Sequence, residues 1–435
     1  MPTAPLINRE IVRLAIPNIL SNISVPLISS VDTALMGRLS ELHIGAVGLG
    51  AILFNFIYWN CGFLRMGTTG MTAQGYGASD RPLIVHTLLR AGAIALVLAA
   101  LFIALQKPMG QLAFQLMNVD DRQLGLVSDY WQIRIWDAPA TLGLMALMGW
   151  FFGMQNALYP LLLTIVVAVV NTSLSYHLVV NLEWSVRGVA YGTVVAQYTG
   201  LLLGIALFLG RYRHHLADVE RSVVFRWQQL QRFFQVNRDI FLRTLFLTFT
   251  FAFFYSKSSD FGILILAVNT IFLQFVNWMS YAIDGFAYAA ESLVGKYTGA
   301  RDPKSTWRVV RWSFVWGLGF ALLFSGSYWL LSDPLLRVFS SDPEVLTTAR
   351  EYLVWIVLFP VLAFACYLWD GIYIGLTASR SMLLSAGLAF VGFVGVYFLF
   401  REAGNRGLWA ALLTFMVGRG VFQGWLVWRR GLALR

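Results

Sequence analysis

Apolar runs of about 20 residues, the length that crosses a bilayer's hydrocarbon core, recur along this chain from its first turns to its last. Clear examples are 161–182, 189–209 and 314–331. Read with their flanks, the runs predict about twelve spanning helices, at 9–37, 44–74, 83–106, 124–152, 156–182, 187–210, 238–257, 262–294, 305–332, 346–375, 382–400 and 406–428. The bilayer offers backbone groups no partners, so such spans must be helices that satisfy their own hydrogen bonds. The longest polar interval, 211–237, carries Arg211, Arg213, Arg221, Arg226 and Arg232, with Arg238 just beyond it, interleaved with Val223, Phe225, Trp227, Leu230, Phe233 and Phe234. That alternation predicts an amphipathic segment lying on the membrane surface.

The half of the chain after this interval repeats the half before it. Phe54-Asn55-Phe56-Ile57 and Gly77-Ala78-Ser79-Asp80 are echoed by Val276-Asn277-Trp278-Met279 and Gly299-Ala300-Arg301-Asp302, a shift of about 222 residues that also pairs Gly153 with Gly375. Arg187-Gly188-Val189 is echoed by Arg406-Gly407-Leu408. Halves with an even number of spans start on the same side, which makes them parallel repeats related by an axis along the membrane normal. The expected fold is an all-α polytopic membrane protein of two six-helix lobes: an N-lobe at 1–212, an amphipathic linker at 213–236 and a C-lobe at 237–435. Two related bundles leave a central cleft, the geometry with which a carrier opens alternately to either side.

Composition sharpens this reading. Apolar residues make up 58% of the chain and charged ones 12%, too few charges to cover a soluble protein of this length. The net charge of +10 does not imply nucleic acid, because the basic residues sit in the links between spans. Arg9, Arg13, Arg81, the central interval, Arg301, Lys304, Arg308, Arg311, Arg380, Arg429, Arg430 and Arg435 fall on one side, and fewer bases, mostly near acids, fall on the other. By the excess of positive charge on cytoplasmic loops, both termini are expected in the cytoplasm. Met1–Pro17 lacks a signal-peptide core and cleavage site, so no cleaved leader is expected. Cys61 and Cys366 lie in apolar runs and read as small buried hydrophobes. There is no Walker-type phosphate loop, His-Glu-x-x-His, paired CxxC or nucleophile elbow. Enzymatic chemistry and nucleotide-driven pumping are therefore not expected, and an ion gradient is the natural source of energy.

The residues that stand out are polar groups inside spans. Asp32 lies deep in the first, where a charged carboxylate costs about 2.5–3.5 kcal/mol on insertion scales. Asn18, Ser21, Asn22, Ser29 and Asp32 form one helical stripe that should face the bundle interior, and Pro17 and Pro26 allow that helix to bend. A proton gained or lost at Asp32 would change how the helix packs. Asn171, Ser175 and Tyr176 in the fifth span and Thr193 in the sixth are candidate partners, with Asn171 and Ser175 on one face. His177, near a span end, reads as interfacial. Asp284, Glu291 and Asp370 are buried acids of the second half, and Asp284 and Asp370 each precede a glycine, where backbones can approach closely. Arg65, Arg134 and Asp137 read as structural charges that pair. Tyr130, Phe151 and Trp278 are aromatic candidates for holding flat cationic guests.

Val31-Asp32-Thr33-Ala34-Leu35-Met36-Gly37-Arg38 resembles the first-span signature of multidrug and toxic compound extrusion (MATE) transporters. Phe63-Leu64-Arg65-Met66-Gly67-Thr68-Thr69-Gly70 with Ala73-Gln74, Asp284-Gly285-Phe286-Ala287-Tyr288-Ala289-Ala290-Glu291 and Asp370-Gly371-Ile372-Tyr373-Ile374-Gly375 resemble its DinF-like branch. The resemblance covers essentially all twelve spans. It implies a V-shaped exporter of a bacterial inner membrane, acting as a monomer, that exchanges H+ or Na+ for amphipathic, often cationic small molecules and needs no other cofactor; among macromolecular neighbours it implies membrane lipids only. It makes Asp32 the coupling acid, with Asn171 and Thr193 beside it. Ser175 stands where the family pattern has an acid, and Asp370 is the position to watch for Na+. Cavity residues expected from the same reading are Asn18, Asn22, Ser29 and Tyr130. The alternatives are a Na+-coupled exporter and a flippase of lipid-linked precursors from the wider superfamily.

Overall fold

Helices track the apolar runs closely. The computed structural model describes residues 4–37, 40–224 and 226–432, without the side chains of 4, 5, 25–34, 36, 37, 41 and 221. The first half consists of α1 (Ala4–Gly37), α2 (Glu41–Asn60), α3 (Phe63–Ala78), α4 (Arg81–Ala104), α5 (Gln106–Leu116), α6 (Asp121–Arg134), α7 (Ala138–Gly153), α8 (Leu158–Tyr176) and α9 (Ser185–Tyr212). After the short α10 (Arg221–Val224), the second half consists of α11 (Trp227–Asp260), α12 (Ile263–Gly299), α13 (Pro303–Leu330), α14 (Ser332–Phe339), α15 (Pro343–Gly375), α16 (Ser379–Leu399) and α17 (Asn405–Arg430). Among the described residues, 11 helical segments are long and apolar enough to cross a membrane, and the 34-residue α1 occupies the remaining expected span.

Two expected spans are interrupted. The second breaks between α2 and α3 at Cys61-Gly62, and the fourth breaks at a tight turn, Ile135–Asp137, just ahead of Pro139. Proline has no amide hydrogen to give and is favoured in the first turn of a helix, which suits the start of a new helix there. The expected surface segment also divides differently: Arg213–Asp218 and α10 are short turns, while residues from Trp227 onward already belong to the helix that becomes the seventh span.

The internal repeat is visible in backbone detail. Ser79 (φ 55°) and Arg301 (φ 54°) both adopt the left-handed conformation that ends α3 and α12. The next residue's amide then reaches back, Asp80 N to Gly75 O and Asp302 N to Tyr297 O, each at 2.9 Å. Asp80 caps α4 by accepting from Leu83 N at 2.9 Å, and Asp302 caps α13 by accepting from Ser305 N at 3.0 Å. The same shift relates Gln155 (φ 61°) to Thr377 (φ 53°) after α7 and α15. It also relates two close helix crossings. A Cβ on Gly149 would sit 2.3 Å from Arg65 O, and one on Gly371 would sit 2.2 Å from Ala287 O. Only glycine permits either approach.

The chain forms two compact units, Leu20–Phe234 and Gln235–Arg435, the second of which also contains Met1–Ile19. In the first, Trp150 sits edge-on against Phe151, Phe208 and Tyr212. In the second, Trp409 packs edge-on against Phe254 and Phe272. The early turns of α1 belong to this second unit: Ile7 and Ile11 are buried, and Gly285 lies against Ala15 and Ile19. Lys296 Nζ and Tyr297 Oη donate to the Glu10 carboxylate at 2.8 and 2.7 Å, and Trp316 Nε1 donates to Asn8 Oδ1 at 2.6 Å. The first helix thus belongs to both units.

Candidate coupling site

The inward stripe of α1 is where the sequence placed it, as far as the described residues go. Asn18 and Ser21 are buried and Asn22 is half-buried, while Ile16, Leu20 and Ile23 on the other face are exposed. Ser21 Oγ and Thr164 Oγ1 of α8 share a hydrogen bond of 2.8 Å. The side chains of Ser29 and Asp32 lie outside the described residues.

In the unit Leu20–Phe234, α8 and α9 bring Asn171, Ser175 and Thr193 together in a buried polar patch. Asn171 and Ser175 share a face because four residues make about one helical turn. Asn171 Nδ2 donates to Thr193 Oγ1 at 2.9 Å, and that hydroxyl in turn donates to Val189 O at 3.0 Å. The helices pack so closely that a Cβ on Gly192 would fall 2.3 Å from Ser175 Oγ. Asn171 Oδ1 and Ser175 Oγ find no partner among the described residues. Buried polar atoms are normally satisfied, and these two belong to residues one turn apart on α8. Just beyond, His177 is exposed and hydrogen-bonded to Asn181 at 2.9 Å, outside this patch.

Tyr130 is not at an open surface. It is fully buried against Gly50 and Phe54 and accepts a hydrogen bond from Arg134, which places it in the packed core of its unit rather than on a cavity wall. Arg134 also donates to Asp137 at 3.3 Å, and Tyr58 donates to the same carboxylate. Phe151 is likewise core, between Trp150 and Tyr159, whereas Trp278 keeps an exposed face.

The acids of the second unit have different surroundings. Asp370 is buried on α15 and receives Arg243 from α11 and both Arg419 and Gln423 from α17, the last at 3.0 Å. Sequence reasoning passed over Arg243 and Arg419. Each is a single base in a long apolar run, and the usable signal was that an arginine in a span calls for an acid in another. Glu291 is fully buried and Asp284 half-buried on α12, the helix that Gly371 lets α15 approach.

Comparison with known proteins agrees with this architecture. The MatE family model matches the chain twice, at residues 17–177 and 240–398, once in each half. DNA damage-inducible protein F of Escherichia coli K12 is 35% identical over 421 residues, covering 96% of this chain and 91% of that protein. The multidrug resistance protein MdtK of Edwardsiella ictaluri is 24% identical over 389 residues, covering 88% and 85%. Among solved structures, the Vibrio cholerae MATE transporter VcmN in its bent form aligns with a TM-score of 0.86 over 99% of this chain and 98% of that one, at 19% identity, a likeness of fold.

Proposed function

The chain belongs to the MatE family, whose members are membrane transporters and not enzymes, and on that footing we propose that it is a proton-coupled exporter of amphipathic, mostly cationic organic molecules. Asp32 is its coupling acid and Asn171, Ser175 and Thr193 are that acid's neutral neighbours. With serine at 175, this set carries one negative charge, which suits the uptake of one proton. Each proton moving inward releases about 2.3 kcal/mol per 100 mV and about 1.4 kcal/mol per pH unit.

The observation that carries the reading is the state of Asp370. A Na+-coupled exporter using this acid would need carboxylate oxygens open to the ion. Here both Asp370 oxygens are held by Arg243, Arg419 and Gln423, so an entering cation would have to displace fixed guanidinium groups. Asp137 is committed to Arg134 and Tyr58 in the same manner. The open oxygens of Asn171 and Ser175 support the other location.

Export begins, in this reading, with Asp32 ionised and a guest held on the inner face of the first helix. Protonation from outside removes the charge, the helix bends at Pro17 or Pro26, and the guest leaves. A ligand needs only different affinities for the two shapes to drive such a cycle. The test is dye export from proteoliposomes under pH and Na+ gradients imposed separately. Wild type is expected to respond to the pH gradient alone, and Asp32→Asn to lose that response while remaining folded. Full pH-driven export by Asp32→Asn, or export that needs Na+ at constant pH, would overturn the proposal.

A further inference from the structure

The first turns of α13 carry Lys304, Trp307, Arg308 and Arg311 at the spacing of a single helix face. Lys304, Trp307 and Arg311 are exposed, while Ser305, Thr306, Val309, Val310 and Ser313 face the core of their unit. Further along, the exposed face continues as Val315, Leu318 and Leu322, apolar side chains that turn outward from the same helix. One face is thus basic and aromatic at its end and wholly apolar beyond. The acid closest in sequence, Asp302, is turned onto the amide of Ser305 as a helix cap.

The equivalent helix in the first half has no such face. Positions related by the repeat are Pro82, Val85, His86 and Leu89. That end of α4 is covered by the chain's own central interval: His86 Nε2 accepts from Glu220 N at 3.1 Å, and Arg90 donates to Val224 O at 2.7 Å and to Val223 O at 3.2 Å. The basic face on α13 is therefore not imposed by the repeated architecture. Where one half is capped by protein, the other leaves Lys304 and Arg311 exposed.

We propose that this face of α13 binds one anionic phospholipid, its phosphodiester between Lys304 and Arg311 and its acyl chains along Val315, Leu318 and Leu322. The dimensions fit. Lys304 to Arg311 covers about 10 Å of helix and Arg311 to Leu322 about 16 Å, against a half-thickness of about 15 Å for the hydrocarbon core. Trp307 would lie between Lys304 and Arg311 in the headgroup layer, the interfacial zone where indole rings concentrate. The apolar continuation is what distinguishes a lipid from free phosphate, which would have no use for it. The proposal does not depend on which ion drives transport.

Native mass spectrometry of the purified full chain tests it, with phosphatidylglycerol, phosphatidylcholine and inorganic phosphate as probes. Wild type is expected to retain one phosphatidylglycerol in preference to phosphatidylcholine. A basic residue near the membrane surface is worth about five-fold in attraction, so Lys304→Gln/Arg311→Gln should weaken retention about thirty-fold. The charge-conserving pair Lys304→Arg/Arg311→Lys should keep it, as should Arg226→Gln/Arg380→Gln, which removes the same charge at exposed sites elsewhere. Both sites are on the surface, and unchanged thermal midpoints confirm that the variants fold. Equal retention by wild type and Lys304→Gln/Arg311→Gln would overturn the proposal. So would an equal loss in the two charge-removing pairs, or displacement of the lipid by millimolar inorganic phosphate.

Discussion

Asp370 sits under two guanidinium groups and one amide, each from a helix other than its own. Forming such a cluster takes several charges out of water. Its net worth relative to an apolar core is small, but breaking it strands charge in the interior. Asp370→Asn would leave Arg243 and Arg419 without this carboxylate, at an expected cost of about 3–5 kcal/mol. A steep fall in the thermal midpoint in detergent is the expected result, with pH-driven dye export surviving in whatever folds. Loss of export at unchanged stability would instead make Asp370 a coupling residue. At this scale the sequence was readable where spacing carries meaning: Asn171 and Ser175 are one turn apart, and the Asp-Gly steps at 284 and 370 do mark close helix approaches. It was unreadable where partners come from distant helices, as with Arg243, Arg419 and the packing that takes Tyr130 into the core.

The turns that open α4 and α13 show how a short motif becomes an element boundary. In both, a left-handed residue ends one helix and an aspartate caps the next, with proline in the first turn. At Ser79 the left-handed conformation crowds the Cβ against the backbone, so Ser79→Gly should stabilise the fold by about 0.5–1 kcal/mol. At Asp302, the adjacent side chain and amide of Ser305 hold the carboxyl below its ordinary range, the amide through its 3.0 Å hydrogen bond. A carboxyl lowered in the folded state stabilises above its unfolded value of about 3.9, and that contribution disappears as pH falls through the folded value. Asp302→Ala should therefore cost about 1 kcal/mol at neutral pH, a difference that shrinks below about pH 4. Thermal melts of wild type and variant at both pH values would check it; a gap that stayed constant across that range would contradict the cap. The Gly-Ala-x-Asp repeat made these boundaries legible, because left-handed turns and caps are local. The interruption at Ile135–Asp137 was harder to see, since the apolar run continues through it.

At the scale of the whole chain, the duplication was the strongest signal in the sequence, and the family model matching once in each half reflects the same repeat. The alternation of arginines and aromatics in the interval joining the halves predicts an amphipathic segment on the membrane surface. That pattern could not show that residues of α4 bind its backbone. Arg90 is almost wholly buried and donates to the carbonyls of Val223 and Val224, and His86 receives the amide of Glu220. An arginine spent on carbonyl groups of a connecting segment fixes the path of that segment over its own unit. Hydrogen bonds to charged groups are worth about 1.5–3 kcal/mol each, so Arg90→Gln should raise the population of the detached segment by ten-fold or more. Arg226, exposed at the start of α11, supplies a trypsin site that reports it. Cleavage there should be at least ten-fold faster in the variant, with the helical content of both fragments retained. If digestion rates were equal, the segment would be held by the apolar packing that follows it, with Phe233 of α11 on Met71, Ala91 and Ala146 as the anchor, and Arg90 would serve only to fill space beside α4.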